Sequence, residues 1–403
     1  MNIRLLYLTR EPFPTFRVDV ATLFGRYLPR FGVYSDIVAV HEGDGSECAW
    51  EAGRAFTRIA RGRWGRIRAR LMLALDLFRL ARADYAAVQV RDRIFGALFG
   101  LWAARLRGKP FYYWMSFPFP EYWLERGSPD PAGPVGAGRR LLFRLRGRLS
   151  AWLLYGHVLP AADHIFVQSD AMRALLASHG LPAVRMTPVP MGATIPDRLD
   201  DIPPADDPRL TGRRVVIYLG ALERARRSEV MIEAMAAVRD EFPTALLVCV
   251  GDAEEEIERR WFDGLVGQLG LQDHVLFTGW LPGEEARRYL RNAEIGLSPC
   301  ARTPSLEVAS PTKVIEYMAW GVPVVANDLP DQAYLIGETG GGLCVPLTPA
   351  GFADGILQLL RDPVAARRMG EAGRREIPGL RSYEVIARSL AEKYRQLAGG
   401  VAQ

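Results

Sequence analysis

The sequence is poor in cysteine, and this excludes a scaffold held together by disulfides. Its 403 residues include four cysteines, Cys48, Cys249, Cys300 and Cys344. No two of them have the spacing of metal ligands, and three lie in apolar runs typical of strands. With 49% hydrophobic and 24% charged residues, the composition is that of an ordinary soluble globular protein. We therefore expect buried, reduced thiols and a cytoplasmic location.

Long apolar runs are also absent. The N-terminal segment lacks the apolar stretch and the small-residue cleavage site of a signal peptide. The longest uncharged stretch with helical character, Ile94 to Ala104, has eleven residues, whereas a helix that crosses a bilayer needs about 20. We expect a chain that does not cross a membrane, although it can bind the surface of one.

Several catalytic motifs are missing. The first predicted strand is followed by Thr9-Arg10-Glu11-Pro12 instead of G-x-G-x-x-G, and the chain contains no P-loop. These absences disfavour a dehydrogenase and a nucleotide triphosphatase. No H-E-x-x-H, G-x-S-x-G or D-x-D occurs either. The sequence therefore predicts an activity that needs neither a metal ion nor a bound cofactor.

Short apolar strands alternate with amphipathic helices along most of the chain, which is typical of parallel sheets covered on both faces. A segment rich in proline and aspartate interrupts the alternation. We predict an N-terminal domain at 1–192, a linker at 193–212, a second α/β domain at 213–377, and a C-terminal segment at 378–403 whose helix packs back toward the first domain. Such domains bind ligands at the carboxyl ends of their strands, and we expect the site in a cleft between them.

The densest motif is SPTKVIEYMAWGVPVV, from Ser310 to Val325. Pro311 and Thr312 suit the start of a helix, and Lys313 and Glu316 then project from one face of its first turn. Free N–H groups and a lysine at a helix start favour an anion. A surface helix with an ion pair between the two side chains explains the same residues equally well.

This motif resembles the signature of the retaining, nucleotide-sugar-dependent glycosyltransferases of the GT-B fold, in family four (group 1), which includes sucrose and mannosyl synthases. Further segments resemble that family: Tyr218-Leu219-Gly220, the run Val248 to Asp252 and the run His274 to Gly279. The resemblance implies two Rossmann-like domains that face a central cleft. The first would bind the acceptor and the second the nucleotide-sugar donor.

The resemblance also implies roles for individual residues. Glu316 stands where the family binds the donor ribose, and Arg227 where it has a phosphate-binding lysine. With Lys313, these are the expected catalytic residues. The other expected donor-binding residues are Gly220, Arg224, Gly251, Phe277, Ser310, Pro311 and Thr312. In this family the leaving diphosphate is described as taking the acceptor proton, so positive charge near the phosphates replaces an enzymic nucleophile.

Three positions depart from the family pattern. Val308 stands where an acid is frequent, one residue after Glu307, and Ala221 replaces an arginine. The acceptor-side histidine has no counterpart; Ser116 occupies about its place, next to Phe117. These departures leave two alternatives open: a catalytically silent GT-B scaffold or partner protein, and a sugar-nucleotide epimerase of the same fold.

Two basic stretches in the first domain carry interleaved apolar residues. Nine arginines lie between Arg54 and Arg82, against two acids counting the flanking Glu51, and five lie between Arg139 and Arg148 without any acid. This pattern favours an anionic membrane surface, and no nucleic-acid-binding module accompanies it. We expect a peripheral protein on the inner face of the plasma membrane, with a lipid-linked glycan as acceptor in bacterial surface-polysaccharide assembly.

Overall fold

The computed structural model describes residues 2–15, 17–41, 49–128 and 136–399, and Cys48 lies outside them. The described residues up to Gly192, with the C-terminal helix from Tyr383, form one compact unit, and Ala193–Ser382 form the other. We call them the N-terminal unit and the C-terminal unit. The segment 193–212 belongs to the C-terminal unit, where the Ala205 amide donates to the Arg288 carbonyl oxygen over 3.2 Å.

The N-terminal unit is built on a seven-stranded sheet in the order β3-β2-β1-β4-β5-β6-β7, in which every pairing is parallel. The strands are β1 Ile3–Leu8, β2 Val33–His41, β3 Ala55–Ile59, β4 Ala87–Arg91, β5 Phe111–Met115, β6 His164–Val167 and β7 Met186–Pro188. Apolar residues fill the central strands because helices cover both faces of a parallel sheet.

The helices of this unit follow the strands in alternation. They are a π-helical segment Asp19–Tyr27, α1 Leu28–Arg30, α2 Gly62–Leu80, α3 Ile94–Arg105, α4 Phe119–Arg126, α5 Ala137–Leu153, a π-helical turn Leu154–Val158, α6 Asp170–Ser178, a 3-10 turn Ala183–Arg185 and, at the C-terminus, α15 Tyr383–Gly399. Helix α15 buries Ile386, Leu390 and Tyr394 in the core formed with β1 and β5. The Tyr394 hydroxyl donates to Oε1 of Gln89 on β4 over 2.6 Å, which fixes the helix to the sheet.

The C-terminal unit has a six-stranded parallel sheet in the order β10-β9-β8-β11-β12-β13. Its strands are β8 Arg214–Leu219, β9 Ala245–Val250, β10 Val275–Phe277, β11 Ala293–Ser298, β12 Val324–Asn327 and β13 Gly342–Val345. Its helices are α7 Glu229–Glu241, α8 Glu256–Gln268, α9 Gly283–Arg288, α10 Pro304–Glu307, α11 Thr312–Ala319, α12 Pro330–Thr339, α13 Pro349–Arg361 and α14 Pro363–Arg381, with 3-10 turns at Pro208–Leu210, Arg224–Arg226 and Tyr289–Arg291.

The predicted architecture of two parallel-sheet α/β units is confirmed, and two details are corrected. Pro378 does not end a helix: it lies inside α14, which continues to Arg381. A proline inside a helix removes one main-chain hydrogen bond, and the buried Ile377 and Arg381 on either side hold the last turn in place. Cys344 is an exposed free thiol, unlike the buried Cys249 and Cys300, because β13 is an edge strand.

No helix in the described ranges is both long enough and apolar enough to span a bilayer.

Candidate functional site

The strand order of the C-terminal unit reverses its direction between β8 and β11. From β8 the chain proceeds to β9 and β10 on one side of the sheet and then returns to β11 on the other side. At such a switch point the loops that leave neighbouring strands diverge, which opens a ligand site at the carboxyl ends of the strands. The loop after β8 leads through Arg224–Arg226 to α7, and the segment after β11 leads to α11. The motif residues of the sequence therefore meet at this edge.

Two glycines allow the backbones to approach closely here. Gly220 follows β8 with φ +115° and Gly251 follows β9 with φ +136°, a region that side-chain-bearing residues rarely adopt. A Cβ atom on Gly251 would stand 2.3 Å from the carbonyl oxygen of Gly220. A Cβ atom on Gly220 would stand 3.4 Å from Nζ of Lys313. The structure thus brings together Gly220, Gly251 and Lys313, as the sequence predicts for a donor site.

Lys313 lacks a counter-ion at this edge. No carboxylate of the described chain lies within 4.0 Å of its Nζ atom, so the ion pair with Glu316 that would mark an ordinary surface helix is not formed. The ammonium group instead lies 4.9 Å from the ring centroid of Tyr218 on β8. A cation that is held by an aromatic face, at the start of a helix, remains available to an anion.

Glu316 is partly buried one turn further along α11. Burial raises the pKa of its carboxyl group, and the charges of Arg287 and Lys313 and a hydrogen bond from Thr312 oppose that rise. Arg287 lies on α9, and sequence reasoning missed it because its proximity to Glu316 is a tertiary relationship. A carboxylate between a hydroxyl group and two cations is well suited to accept hydrogen bonds from the hydroxyls of a sugar.

The loop after β8 contributes three arginines. Arg227 has the left-handed backbone conformation, φ 63°, which is uncommon for a residue with a side chain. Its Nε donates to Oε1 of Glu229 over 2.6 Å. The guanidinium of Arg224 lies 4.3 Å from the ring centroid of Trp261, and Arg226 pairs with Glu223 at 2.9 Å. Arg227, the expected phosphate ligand, is therefore engaged with a carboxylate in this structure.

The strands β9 and β10 contribute further residues to the candidate site. Phe277, an expected donor-binding residue, is half-buried at the end of β10. The guanidinium of Arg259 lies 4.4 Å from its ring centroid and also pairs with Asp252 at 3.0 Å. Arg259 and Asp252 are functional candidates that the sequence reasoning did not single out. The only sequence signal was the position of Asp252 directly after Gly251.

The residues that precede α11 are fixed by hydrogen bonds to other helices. Ser310 is buried, and its Oγ donates to Oδ2 of Asp331 over 2.6 Å. Arg381 donates to the other oxygen of Asp331. Pro311 is the N-cap residue and Thr312 begins the helix. Of these residues, Ser310 has a structural role, while Thr312 contacts Glu316 directly.

The missing family acid has no substitute at its own position. Val308 is buried, whereas Glu307 forms an ion pair with Arg302 in which Nε and Oε1 are 2.9 Å apart.

Ser116, expected from the sequence on the acceptor side, belongs to a buried polar network in the N-terminal unit. Its Oγ accepts from Nη2 of Arg91 over 2.8 Å and donates to Asp92. Arg91 is fully buried and also contacts Glu11 and Asp19. Burial raises the pKa of Asp92 to about 6, although Arg91 and Ser116 lower it. The sequence reasoning missed this network.

Phe117 takes part in an aromatic cluster next to that network. Its ring centroid lies 5.1 Å from that of Phe119 and 5.6 Å from that of Tyr122. The structure thus places Ser116 in a buried network and Phe117 among packed aromatic rings.

In the parts of the chain that the structure describes, no group of three or more His, Cys, Asp or Glu residues could hold a metal ion.

Comparison with known proteins gives two family matches that together cover both units. Residues 213–362 match the family described as glycosyl transferases group 1, and residues 19–192 match the glycosyl transferase 4-like domain. The chain is 29% identical over 239 residues to the phosphatidyl-myo-inositol mannosyltransferase of Mycobacterium leprae, a match that covers 58% of this chain and 59% of that enzyme.

A second relative and a solved structure agree with these matches. Over 280 residues the chain is 30% identical to the GDP-mannose-dependent alpha-(1-6)-phosphatidylinositol monomannoside mannosyltransferase of Mycolicibacterium smegmatis, covering 62% of this chain and 70% of the relative. The crystal structure of Anabaena HepE in complex with UDP superposes with a TM-score of 0.73 at 16% identity, covering 98% and 100% of the two chains. These likenesses, together with the two parallel sheets, confirm the predicted GT-B fold class.

Proposed function

Because the chain belongs to the glycosyl transferases group 1 family, we propose that it transfers a sugar from a nucleoside-diphosphate donor to a lipid-linked acceptor. The C-terminal unit would bind the donor, and the N-terminal unit the acceptor. One observation carries this proposal: at the carboxyl ends of β8 and β9, Gly251 packs against the backbone of Gly220, and Gly220 lies beside Lys313, which has no counter-ion in the described chain. A glycine backbone next to an unpaired cation suits a diphosphate.

The proposed chemistry keeps the anomeric configuration of the sugar. The bond between the anomeric carbon and the phosphate oxygen breaks, and the acceptor hydroxyl forms a new bond on the same face. The leaving diphosphate takes the hydroxyl proton, so the enzyme supplies no base. Lys313 would stabilise the negative charge that develops on the diphosphate, together with Arg227 once the latter exchanges Glu229 for the phosphates. Glu316 would hold the ribose hydroxyls.

Exposed side chains of the N-terminal unit support an acceptor that lies in a membrane. Tryptophans on three of its helices are exposed: Trp64 on α2 by 80%, Trp102 on α3 by 52% and Trp152 on α5 by 60%. Arginines lie between the apolar side chains, a combination that favours anionic lipid surfaces. The two curated relatives are named for activity on phosphatidylinositol lipids. We propose that the chain is a peripheral protein on the cytoplasmic leaflet, where it would act on a lipid-linked glycan in surface-polysaccharide assembly.

A second candidate function is that of a catalytically silent partner protein. It is favoured by the buried Val308 at the acid position and by the pairing of Arg227 with Glu229. Such a protein would keep the fold and the surfaces of a transferase without turning over a donor.

The experiment is a donor-turnover assay on the whole chain with UDP-, GDP- and ADP-sugars, in the presence and absence of a polyprenyl-linked glycan. Our proposal predicts release of one nucleoside diphosphate that depends on Lys313 and persists in EDTA, with an α-linked donor giving an α-linked product by NMR. Release that EDTA abolishes would contradict metal independence, and an inverted product would contradict retention. No release with any donor would favour the silent partner.

A further inference from the structure

The N-terminal unit contains a cavity of about 290 Å³ whose polar lining is mainly arginine. Four guanidinium side chains line it: Arg10 after β1, Arg70 on α2, Arg93 before α3 and Arg146 on α5. We call this cavity the arginine pocket. Its single acidic lining residue is Asp92, whose carboxylate already accepts from both the amide and the hydroxyl of Ser116.

Three of the four arginines are oriented by uncharged groups. The guanidinium of Arg10 lies 3.6 Å from the ring centroid of Phe119, and that of Arg146 lies 3.9 Å from the ring centroid of Trp123. Arg93 donates to the backbone carbonyl oxygen of Arg70 over 3.2 Å. Within the described ranges, none of the four has a carboxylate within 4.0 Å. Aromatic faces and a carbonyl group thus orient Arg10, Arg146 and Arg93 without forming an ion pair with them.

The pKa shifts of these arginines agree with their close spacing in the pocket. Burial, and after it the charge of Arg70, lower the pKa of Arg93 to about 10. Burial likewise lowers the pKa of Arg10, where Arg146 and Arg70 also disfavour the charged form and Asp92 and Glu11 favour it. Burial and Arg70 lower the pKa of Arg146. An anion that binds among like charges held this closely offsets their mutual repulsion.

The rim of the arginine pocket is apolar. Leu71 and Phe95 line it and are also 52% and 56% exposed to solvent. Their helices, α2 and α3, pack on each other and carry further exposed apolar side chains, including Trp64 and Trp102. A ligand with an anionic group in the pocket could therefore continue over an apolar surface.

We propose that the arginine pocket binds the phosphate group of the acceptor. This rests on the proposed function, because it takes the N-terminal unit as the acceptor-binding unit. Guanidinium groups bind phosphate oxygens in pairs of parallel hydrogen bonds, and a phosphate carries enough charge to engage several arginines. The apolar rim favours a lipid phosphate, although a soluble sugar phosphate has the same binding chemistry. The pocket would select acceptors that carry a phosphate next to the hydroxyl group to be glycosylated.

The test compares the whole wild-type chain with R93Q/R146Q and with the matched control R63Q/R68Q, which removes two exposed arginines of α2 outside the pocket. The soluble probe is inorganic pyrophosphate, titrated by calorimetry. The membrane probes are phosphatidylcholine vesicles doped either with a polyprenyl phosphate or with oleate, which supplies negative charge as a carboxylate. Pyrophosphate has access to the donor site as well, but that site is the same in both double variants.

We expect R93Q/R146Q to lose at least about tenfold in affinity for pyrophosphate and for polyprenyl-phosphate vesicles, whereas R63Q/R68Q keeps the pyrophosphate affinity. Loss toward pyrophosphate alone would support a phosphate site for a soluble acceptor and overturn the lipid source. Equal loss of pyrophosphate affinity in both variants, a loss of R93Q/R146Q binding to oleate vesicles equal to its loss toward polyprenyl-phosphate vesicles, or no binding of pyrophosphate to wild type would overturn the proposal.

Two further measurements keep the outcome interpretable. Should R93Q/R146Q fail to fold, protection of the four pocket arginines from phenylglyoxal by pyrophosphate, mapped by mass spectrometry on wild type, decides the matter: protection supports the pocket, and its absence overturns it. Binding of nucleoside diphosphates to the same variant reports on the donor site. A wild-type chain that binds no nucleotide would contradict the proposed function without affecting the phosphate result.

Discussion

Gly251 and Gly220 contact each other at the carboxyl ends of two neighbouring strands, and a methyl group on Gly251 would lie 2.3 Å from the Gly220 carbonyl oxygen. We expect Gly251→Ala to destabilise the C-terminal unit, because the backbone conformation at φ +136° alone costs roughly 1–3 kcal/mol for a residue with a side chain. The control is Gly264→Ala on the exposed face of α8, which should stabilise by roughly 0.5–1 kcal/mol. Thermal unfolding of both variants checks this; equal melting temperatures would contradict it.

Asp331 joins Ser310 and Arg381 beneath the start of α11. Asp331→Ala should lower the free energy of unfolding by about 3–5 kcal/mol, because Arg381 is left as a buried charge without its partner. Asp328→Ala breaks an exposed pair with Arg302 and should cost at most about 1 kcal/mol. Urea denaturation of the two variants measures the difference. Comparable losses would show that Arg381 finds another partner.

The pKa of Asp92 predicts a specific pH dependence of stability. Burial raises this pKa from 3.8 to about 6, so between these values the folded chain holds a proton that the unfolded chain has released. Stability should therefore fall as the pH rises from about 4 to 6 and change no further above that range. Asp92→Asn removes this contribution. We expect the wild-type and variant stabilities to diverge across that window, and parallel curves would refute the assignment.

Exposed tryptophans should carry much of the proposed membrane binding. Replacing Trp64 and Trp152 by serine removes two large apolar side chains, each worth roughly 1.5–3 kcal/mol when buried in the interface. Vesicle co-sedimentation with anionic lipid should fall at least about tenfold while the melting temperature stays unchanged. Trp280→Ser removes a 59% exposed tryptophan of the C-terminal unit and serves as the control. Unchanged sedimentation of the double variant would argue against this surface.

The fold was predictable from sequence where burial is complete and less so at the edges of the sheets. The continuous apolar run Ala245–Val250, for example, coincides with the central strand β9. The edge strands β3, β7 and β13 are missing from the prediction; each pairs on one side only, and most of its side chains are partly exposed, so its sequence is not a continuous apolar run. Cys344 is exposed for the same reason, because β13 is an edge strand.

Some features of the candidate site were likewise predictable from the sequence, and others were not. The elements that carry Gly220, Lys313 and Glu316 follow from local motifs, and the structure brings the three residues to one edge. Arg287 beside Glu316 and the arginine pocket depend on tertiary contacts between distant elements. Among 51 basic residues, no local pattern distinguishes Arg10, Arg70, Arg93 and Arg146 from the others.

The central claim is that the C-terminal unit binds a nucleoside-diphosphate sugar at Glu316. The most direct measurement is thermal unfolding of wild type, Glu316→Ala and the exposed control Glu371→Ala with UDP-, GDP- and ADP-sugars. A ligand at 100 times its dissociation constant adds about 2.7 kcal/mol to the free energy of unfolding. We predict that one nucleotide class stabilises wild type and Glu371→Ala but not Glu316→Ala. Stabilisation of all three proteins alike, or of none, would contradict the account.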